Sequence, residues 1–211
     1  MTLLHRATDY NIMLRETITG LRTALLLWVL TAIFYPLLIL AVGQIFFPYQ
    51  ANGSLITNNQ TPIGSALIGQ PFASDRYFLS RPSTTSYSTA DPKNDENNIL
   101  KTGVSGASNL APSNPALLEQ VKTNLAKLQQ ANINPTADLI YTSGSSLDPH
   151  ISIEAAQAQI QRVATARGLN SNQVEILVSK YTEGRFLSIF GEPGVNVLKL
   201  NLALDGVYTT R

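Results

Sequence analysis

Cysteine is absent from this chain, and histidine occurs only as His5 and His150. Disulfides, thiolate nucleophiles and cysteine-ligated zinc are thereby excluded, so stability has to come from packing. The two histidines flank a long apolar run, one on each side, and assemble no imidazole ligand set. Charge is scarce as well, at 14% of residues with a formal net charge of +1. Lys and Arg are scattered without a run, which leaves no electrostatic footprint for nucleic acid. A surface poor in charge also fits a chain that covers itself with partners. No Gly-x-x-x-x-Gly-Lys-Ser/Thr loop occurs, and Gly64, Gly69, Gly103 and Gly106 do not make a dinucleotide fingerprint. No internal repeat is visible.

The longest absence lies between Arg22 and Asp75, where no charged residue occurs at all. Its first half is almost unbroken apolar sequence. At ~1.5 Å rise per residue, a helix over 24 to 47 would run roughly 36 Å, enough to cross a hydrocarbon core of about 30 Å with some tilt. A cleaved signal peptide has an apolar region of only about 7 to 15 residues. Gly43 and Ala41 give a weak cleavage-like context, but the run is too long. A buried soluble helix would show a polar face, and none is present. Arg6, Arg15 and Arg22 flank the N-terminal side while the far side is neutral, so the N-terminus is expected in the cytoplasm. Trp28 falls near one interface, and Phe46, Phe47 and Tyr49 near the other. Pro36 sits mid-span, frees a backbone carbonyl and reads as a kink against a neighbouring helix.

The expected organisation is a cytoplasmic segment at 1–22, a transmembrane helix at 23–47, a linker at 48–62 and one extracytoplasmic α+β domain at 63–211. The triplets at Asn52 and Asn59 match glycosylation acceptors, a pattern too common to carry weight. Residues 63 to 72 read as a strand with turns, and 80 to 115 as a long loop rich in Ser, Thr, Asn, Pro and Gly. Leu117, Leu118, Val121, Leu125 and Leu128 form a helical stripe at 115 to 130, with Asn114 as N-cap and Pro115 at the first helical position. A strand is expected at 139 to 142. A helix at 153 to 167 starts at Ser152 and stops at Gly168, and a shorter one at 172 to 181 carries the capping-box spacing Asn170 to Gln173. Residues 195 to 207 alternate like a strand yet are bracketed like a helix, which is favoured.

Ser143, Ser145, Ser146, Asp148 and His150 place hydroxyl, carboxylate and imidazole in one short run. A hydrolase reading would use Ser145, Asp148 and His150, but working triads converge from distant segments. The favoured reading is a turn in which Asp148 accepts backbone amides. The carboxylates show no pairing by spacing that would serve glycoside chemistry. The polar residues that stand out sit in Gly- and Pro-rich turns: Gln70, Arg81, Asn109, Asn114, Asp148, Glu183, Arg185, Glu192, Asn196 and Asn201. Such side chains cap turns and knit loops. Arg81 and Arg185 are the candidates for interface ion pairs, because a guanidinium grips a carboxylate through two bonds.

Read together, these segments resemble the KdpC family, one of the subunit families of the Kdp potassium-transporting ATPase. The matching stretches are Gly-Ser-Ala-Leu-Ile-Gly-Gln at 64 to 70, Tyr-Phe-Leu-Ser-Arg-Pro-Ser at 77 to 83 and Ser-Asn-Leu-Ala-Pro-Ser-Asn-Pro at 108 to 115. They continue with Ser-Gly-Ser-Ser-Leu-Asp-Pro-His-Ile-Ser at 143 to 152, Thr-Glu-Gly-Arg at 182 to 185, and Gly-Glu-Pro-Gly-Val-Asn-Val-Leu-Lys-Leu-Asn-Leu-Ala-Leu-Asp at 191 to 205. The family usually shows Gly where Ala111 and Ser146 stand and often a basic residue at Gly194, and 91 to 103 look longer than usual.

The resemblance implies a single-span subunit, in the inner membrane of the cell, of a complex that imports potassium at high affinity by hydrolysing ATP. The partners it implies are a channel-like potassium-binding subunit, a P-type ATPase subunit phosphorylated within Asp-Lys-Thr-Gly, and a small membrane subunit. That tetrapeptide does not occur here, consistent with an accessory, non-catalytic role. ATP, Mg and K are expected in the complex, bound mainly by other subunits, with no cofactor held by this chain. The resemblance also implies a catalytic chaperone that raises the ATPase subunit's nucleotide affinity, an effect that has to cross the membrane given the expected topology. A brace beside the external ion entrance fits that topology more directly. The alternatives from other classes are a membrane-anchored hydrolase and a solute-binding module.

Overall fold

A computed structural model of the chain describes residues 2–89 and 103–206, so most of the long Ser- and Asn-rich loop lies outside the described residues. The chain divides into two units after Gly53.

The first unit is helical. α1 (Thr2–Val29) passes through one π-helical turn at Leu30–Phe34 into α2 (Tyr35–Phe46), and α3 (Pro48–Ala51) adds a single turn. Within this unit Ile12–Phe46 is a continuous 35-residue helix long and apolar enough to span a bilayer, and none of its residues is buried. The π turn has a local cause. Pro36 has no N–H, and in a regular helix its ring would collide with the carbonyl of Ala32. In the wider turn before it, the Tyr35 N–H donates to the Leu30 carbonyl five residues back.

The second unit begins at Ser54 and is α+β. Residues expected to form a linker make a hairpin of β1 (Leu55–Asn58) and β2 (Thr61–Ser65), closed by Asn59 and Gln60 with φ of 47° and 66°. Two successive left-handed residues give the tight turn whose twist matches antiparallel strands. The strand expected across 63 to 72 ends at Ser65.

α4 (Pro115–Gln130) starts where the sequence places it, with Asn114 Oδ1 accepting the Ala116 N–H at 2.9 Å. The strand expected at 139 to 142 is instead the one-turn helix α5 (Ala137–Ile140). Among the described residues no strand pairs with it, and Leu139 reaches the core just as well from a helical turn. β3 (His150–Ile151) leads into α6 (Ile153–Gln157) and α7 (Ile160–Arg167), which split the single helix expected there. Ser152 Oγ caps the first, and Gly168, at φ 65°, closes the second. α8 (Ser171–Lys180) carries the complete capping box of Asn170 and Gln173. The ambiguous C-terminal stretch resolves into both elements: after β4 (Thr182–Glu183), Gly194–Asn196 is strand β5 and Val197–Leu204 is helix α9.

β5 is the centre of a three-stranded antiparallel sheet in the order β3-β5-β4. Alternation puts Ile151 and Val195, both almost fully buried, on the core face. His150, Glu183 and Gly194 fall on the other side. α9 joins the two apolar clusters of the domain. Val197 and Leu200 pack in the main core with Phe78, Ile151, Val163 and Val174, while Leu198 packs with Ile56 and Ala66 of the hairpin region.

Candidate functional site

The polar face of the three-stranded sheet borders a cleft of about 410 Å³ lined by Arg81, Asp138, Asp148, His150, Glu183 and Glu192, among others. The register builds its centre. Glu183 pairs with Gly194 across the strands, and His150 sits two positions along on the opposite neighbour. A Cβ at Gly194 would lie 3.3 Å from His150 Cβ, a tight contact at the point where the His150 ring passes on its way to Glu183. His150 Nε2 lies 3.0 Å from Glu183 Oε2, and Lys199 Nζ donates to Glu183 Oε1 at 2.6 Å. The hydrogen bond from His150, reinforced by Lys199 against the cost of partial burial, lowers the Glu183 carboxyl from its usual range to about 2. It is ionised throughout the physiological range.

From His150 the chain of polar contacts continues to Asp148, Arg81 and Asp138. Asp148 Oδ1 accepts the His150 backbone N–H at 2.9 Å and lies 3.8 Å from Nδ1 of its ring, while Oδ2 takes Arg81 Nη1 at 3.0 Å. Arg81 Nη2 stands 3.9 Å from Asp138, whose other oxygen accepts the Ser152 N–H at 2.6 Å. The carboxylates of Asp138, Asp148 and Glu183 thus alternate with Arg81, the His150 ring and Lys199. Beneath them, burial pushes the Tyr87 phenol up to about 12, and its hydroxyl donates to the Arg81 carbonyl.

Behind the cleft, residues 72–84 have no regular secondary structure, and buried side chains replace the missing strand ladder. Asn201 Oδ1 accepts from the Phe78 N–H at 2.8 Å and Asn201 Nδ2 donates to the Phe78 carbonyl at 3.0 Å. Gln159 does the same for Leu79, at 2.7 and 3.3 Å. Arg162 adds bonds to the carbonyls of Asp75 and Tyr77, and Arg167 to that of Arg76, with its guanidinium 5.0 Å from the Tyr77 ring centre. Buried backbone groups need partners, and here side-chain amides and guanidinium groups supply them.

The remaining candidates from the sequence serve locally. Gln70 Nε2 donates to the Ile63 carbonyl across the space that Gly64 leaves open. Asn196 caps α9 through the Lys199 N–H and donates to the Ala66 carbonyl, tying helix to hairpin. Asn109 contributes a left-handed backbone at φ 51°. Ser146 does too, at φ 60°; its hydroxyl bonds Thr84 at both N and Oγ1. Arg185 pairs with Glu192 at 2.8 Å, and Arg81 with Asp148, so each guanidinium proposed for an interface already has a carboxylate within the chain. Arg81, Asp148, His150, Glu183 and Glu192 meet at the cleft. Gln70, Asn109, Asn114, Asn196 and Asn201 do not line it.

Sequence reasoning missed Gln159, Asp138 and Lys199. Gln159 had one legible signal: it lies on the same helical stripe as Ala155 and Val163, and a lone amide on an apolar stripe marks a buried partner.

Chemically, the cleft lining is rich in carboxylate, with Asp138, Asp148, Glu183 and Glu192 beside Arg81, and with Lys199 and Arg185 pairing to Glu183 and Glu192. Ser145 Oγ accepts from the Leu147 N–H and contacts Ser143, while the His150 ring is held by Glu183 and Asp148, so the structure does not unite a triad. Among the described residues no group of three or more His, Asp or Glu is placed to hold a metal ion. The residues joined here draw on 64–70, 77–83, 143–152, 182–185 and 191–205, five of the six stretches that carry the family resemblance. A family model for the K+-transporting ATPase c chain, KdpC, matches residues 17–206.

The chain belongs to the KdpC family. The potassium-transporting ATPase KdpC subunit of Microcystis aeruginosa is 63% identical over 210 residues, covering 93% of this chain and 98% of that protein. KdpC subunit 1 of a Nostoc species is 60% identical with the same coverage, and the KdpC subunit of Methylococcus capsulatus 49% over 87% of this chain and 94% of its own. The matched residues of the KdpC family model include both the apolar helix and the cleft.

Proposed function

We propose that this chain is a non-catalytic accessory subunit of an ATP-driven, high-affinity potassium import complex of the Kdp type, crossing the cell membrane once. The N-terminus faces the cytoplasm and the domain from residue 54 onward lies outside. The single observation that carries this is the match to a K+-transporting ATPase c chain over residues 17–206. The cleft supports it, because its carboxylates and cations are engaged with one another rather than poised as base or nucleophile. The helix packs against a channel-like, potassium-binding subunit, and the P-type ATPase subunit and a small membrane subunit make up the rest of the assembly. ATP, Mg and K are held mainly by those partners.

The domain braces the outer entrance. An effect on nucleotide affinity, the chaperone role, reaches the ATPase subunit through helix packing, with a coupling of about 1–3 kcal/mol. Replacing residues 12–46 by an unrelated span tests the reading. Copurification of the channel-like subunit and growth on limiting potassium should both be lost; normal assembly and pumping would overturn it. Raising the KM for ATP of the complex on removal of the subunit is the expected sign of the chaperone role, and an unchanged KM would leave bracing alone.

A further inference from the structure

Phe186, Leu187, Ile189 and Phe190 form the tip of a hairpin and are 71%, 68%, 69% and 61% exposed. Elsewhere in the domain Leu118 and Ile176 are exposed on separate helices, and Leu67 with Ile68 makes only a pair. Four together display on the order of 500 Å² of surface, the size of patch that marks an interaction site.

Three features say what covers it. First, four of the five amides from 186 to 190 are bonded locally: Phe186 and Phe190 exchange both backbone bonds at 2.8 and 2.9 Å, Ile189 donates to the Phe186 carbonyl and Ser188 to that of Arg185. Local pairing of amides lowers the cost of entering the interfacial layer, where water still reaches the rest. Second, no charge occurs between Arg185 and Glu192, which neutralise each other at the base of the hairpin. Third, Leu187 and Ser188 are both left-handed, at φ 52° and 61°. Gly or Asn would adopt that turn without strain, so a leucine there spends stability to present an apolar side chain.

We infer that this tip inserts into the interfacial layer of a lipid bilayer, a second membrane contact of the chain in addition to its apolar helix. The inference rests on the membrane-anchor part of the proposed function. The helical unit ends and the domain begins within the stretch between Phe46 and Leu55, so the domain is tethered at high effective concentration near lipid. Two Phe rings with Leu and Ile are suited to the headgroup–acyl boundary.

The test uses the full chain in bilayer nanodiscs. Trp28 is the only tryptophan, so wild-type emission reports on the helix; Trp28→Phe with Phe190→Trp reports on the tip. Ile176→Trp in the same background is the exposed control. Lipids brominated near the headgroup should quench and blue-shift the Phe190→Trp emission and leave the Ile176→Trp emission unchanged. Ile189→Trp should repeat the result in case the first variant is perturbed. Quenching of Trp28 without quenching at the tip overturns the inference and leaves the anchor standing. No quenching of Trp28 overturns both. In the whole transport complex, a blue shift at the tip without bromine quenching would mean that a protein partner covers it, which also overturns the inference.

Discussion

Two helices of this chain are apolar on nearly every side and end oppositely. In α9, Val197, Leu198 and Leu200 are 0%, 1% and 0% exposed, whereas in α2 Leu37, Leu38 and Leu40 are 59%, 50% and 56% exposed. The same chemistry meets two settings: protein wraps α9, while α2 belongs to a helix long and apolar enough to cross a membrane. Charge placement makes the difference visible. α9 has Lys199 and Asn201 to reach Glu183 and Phe78, while Ile12–Phe46 has, past Arg22, no charged residue and a Thr31 that bonds back to the Leu27 carbonyl.

The comparison breaks first in the domain core. Phe78→Ala should cost about 3–5 kcal/mol in the urea midpoint of domain unfolding, because its site is fully buried beside Ile151 and Val163. Leu38→Ala should leave that midpoint unmoved. Leu38→Arg tests the other side: a charge at the middle of the span disfavours insertion by about 2.5–3.5 kcal/mol, read as loss of protein from the membrane fraction, with the domain's core unaffected.

Asn201→Ala sharpens the contrast between the helices. It strands the buried N–H and carbonyl of Phe78 and should cost about 1–3 kcal/mol for each group left unpaired. Thr31→Ala in the span, whose hydroxyl only bonds back to its own helix, should be close to silent.

The smallest effect is electrostatic. The Glu183 carboxyl is lowered to about 2 in the fold from an ordinary 4.5, so its contribution is complete above pH ~4.5 and fades as pH falls toward 2. With 45% of the side chain exposed, screening limits it to below about 1 kcal/mol. Glu183→Gln should flatten the stability profile between those pH values, and an equally steep acid limb would contradict the assignment.

What the sequence shows well are features with local causes. Asn114 and Pro115 followed by a leucine stripe define α4, and Asn170 with Gln173 define the start of α8 to within a residue. The apolar run at 139 to 142 misled, since four residues cannot distinguish a strand from one helical turn when no partner is known. The hairpin at 55–65 went unseen because Asn59-Gln60 is not a customary tight-turn pair. The α+β class and the apolar helix were legible, as were the cleft residues Asp148, His150 and Glu183 as individuals. Their meeting was not: Glu183 lies 33 residues from His150, and Asn201 lies 123 from Phe78. Such pairs arise only when β5 and α9 pack, and nothing near them in sequence announces it.

The side of the bilayer on which the domain lies can be read directly. Because the chain has no cysteine, Glu119→Cys in α4 and Glu16→Cys in α1 each provide one thiol on an exposed position. Treating intact spheroplasts with a membrane-impermeant maleimide should label Glu119→Cys at once and Glu16→Cys only after lysis. Labelling of Glu16→Cys in intact spheroplasts, with Glu119→Cys protected until lysis, would contradict an extracytoplasmic domain.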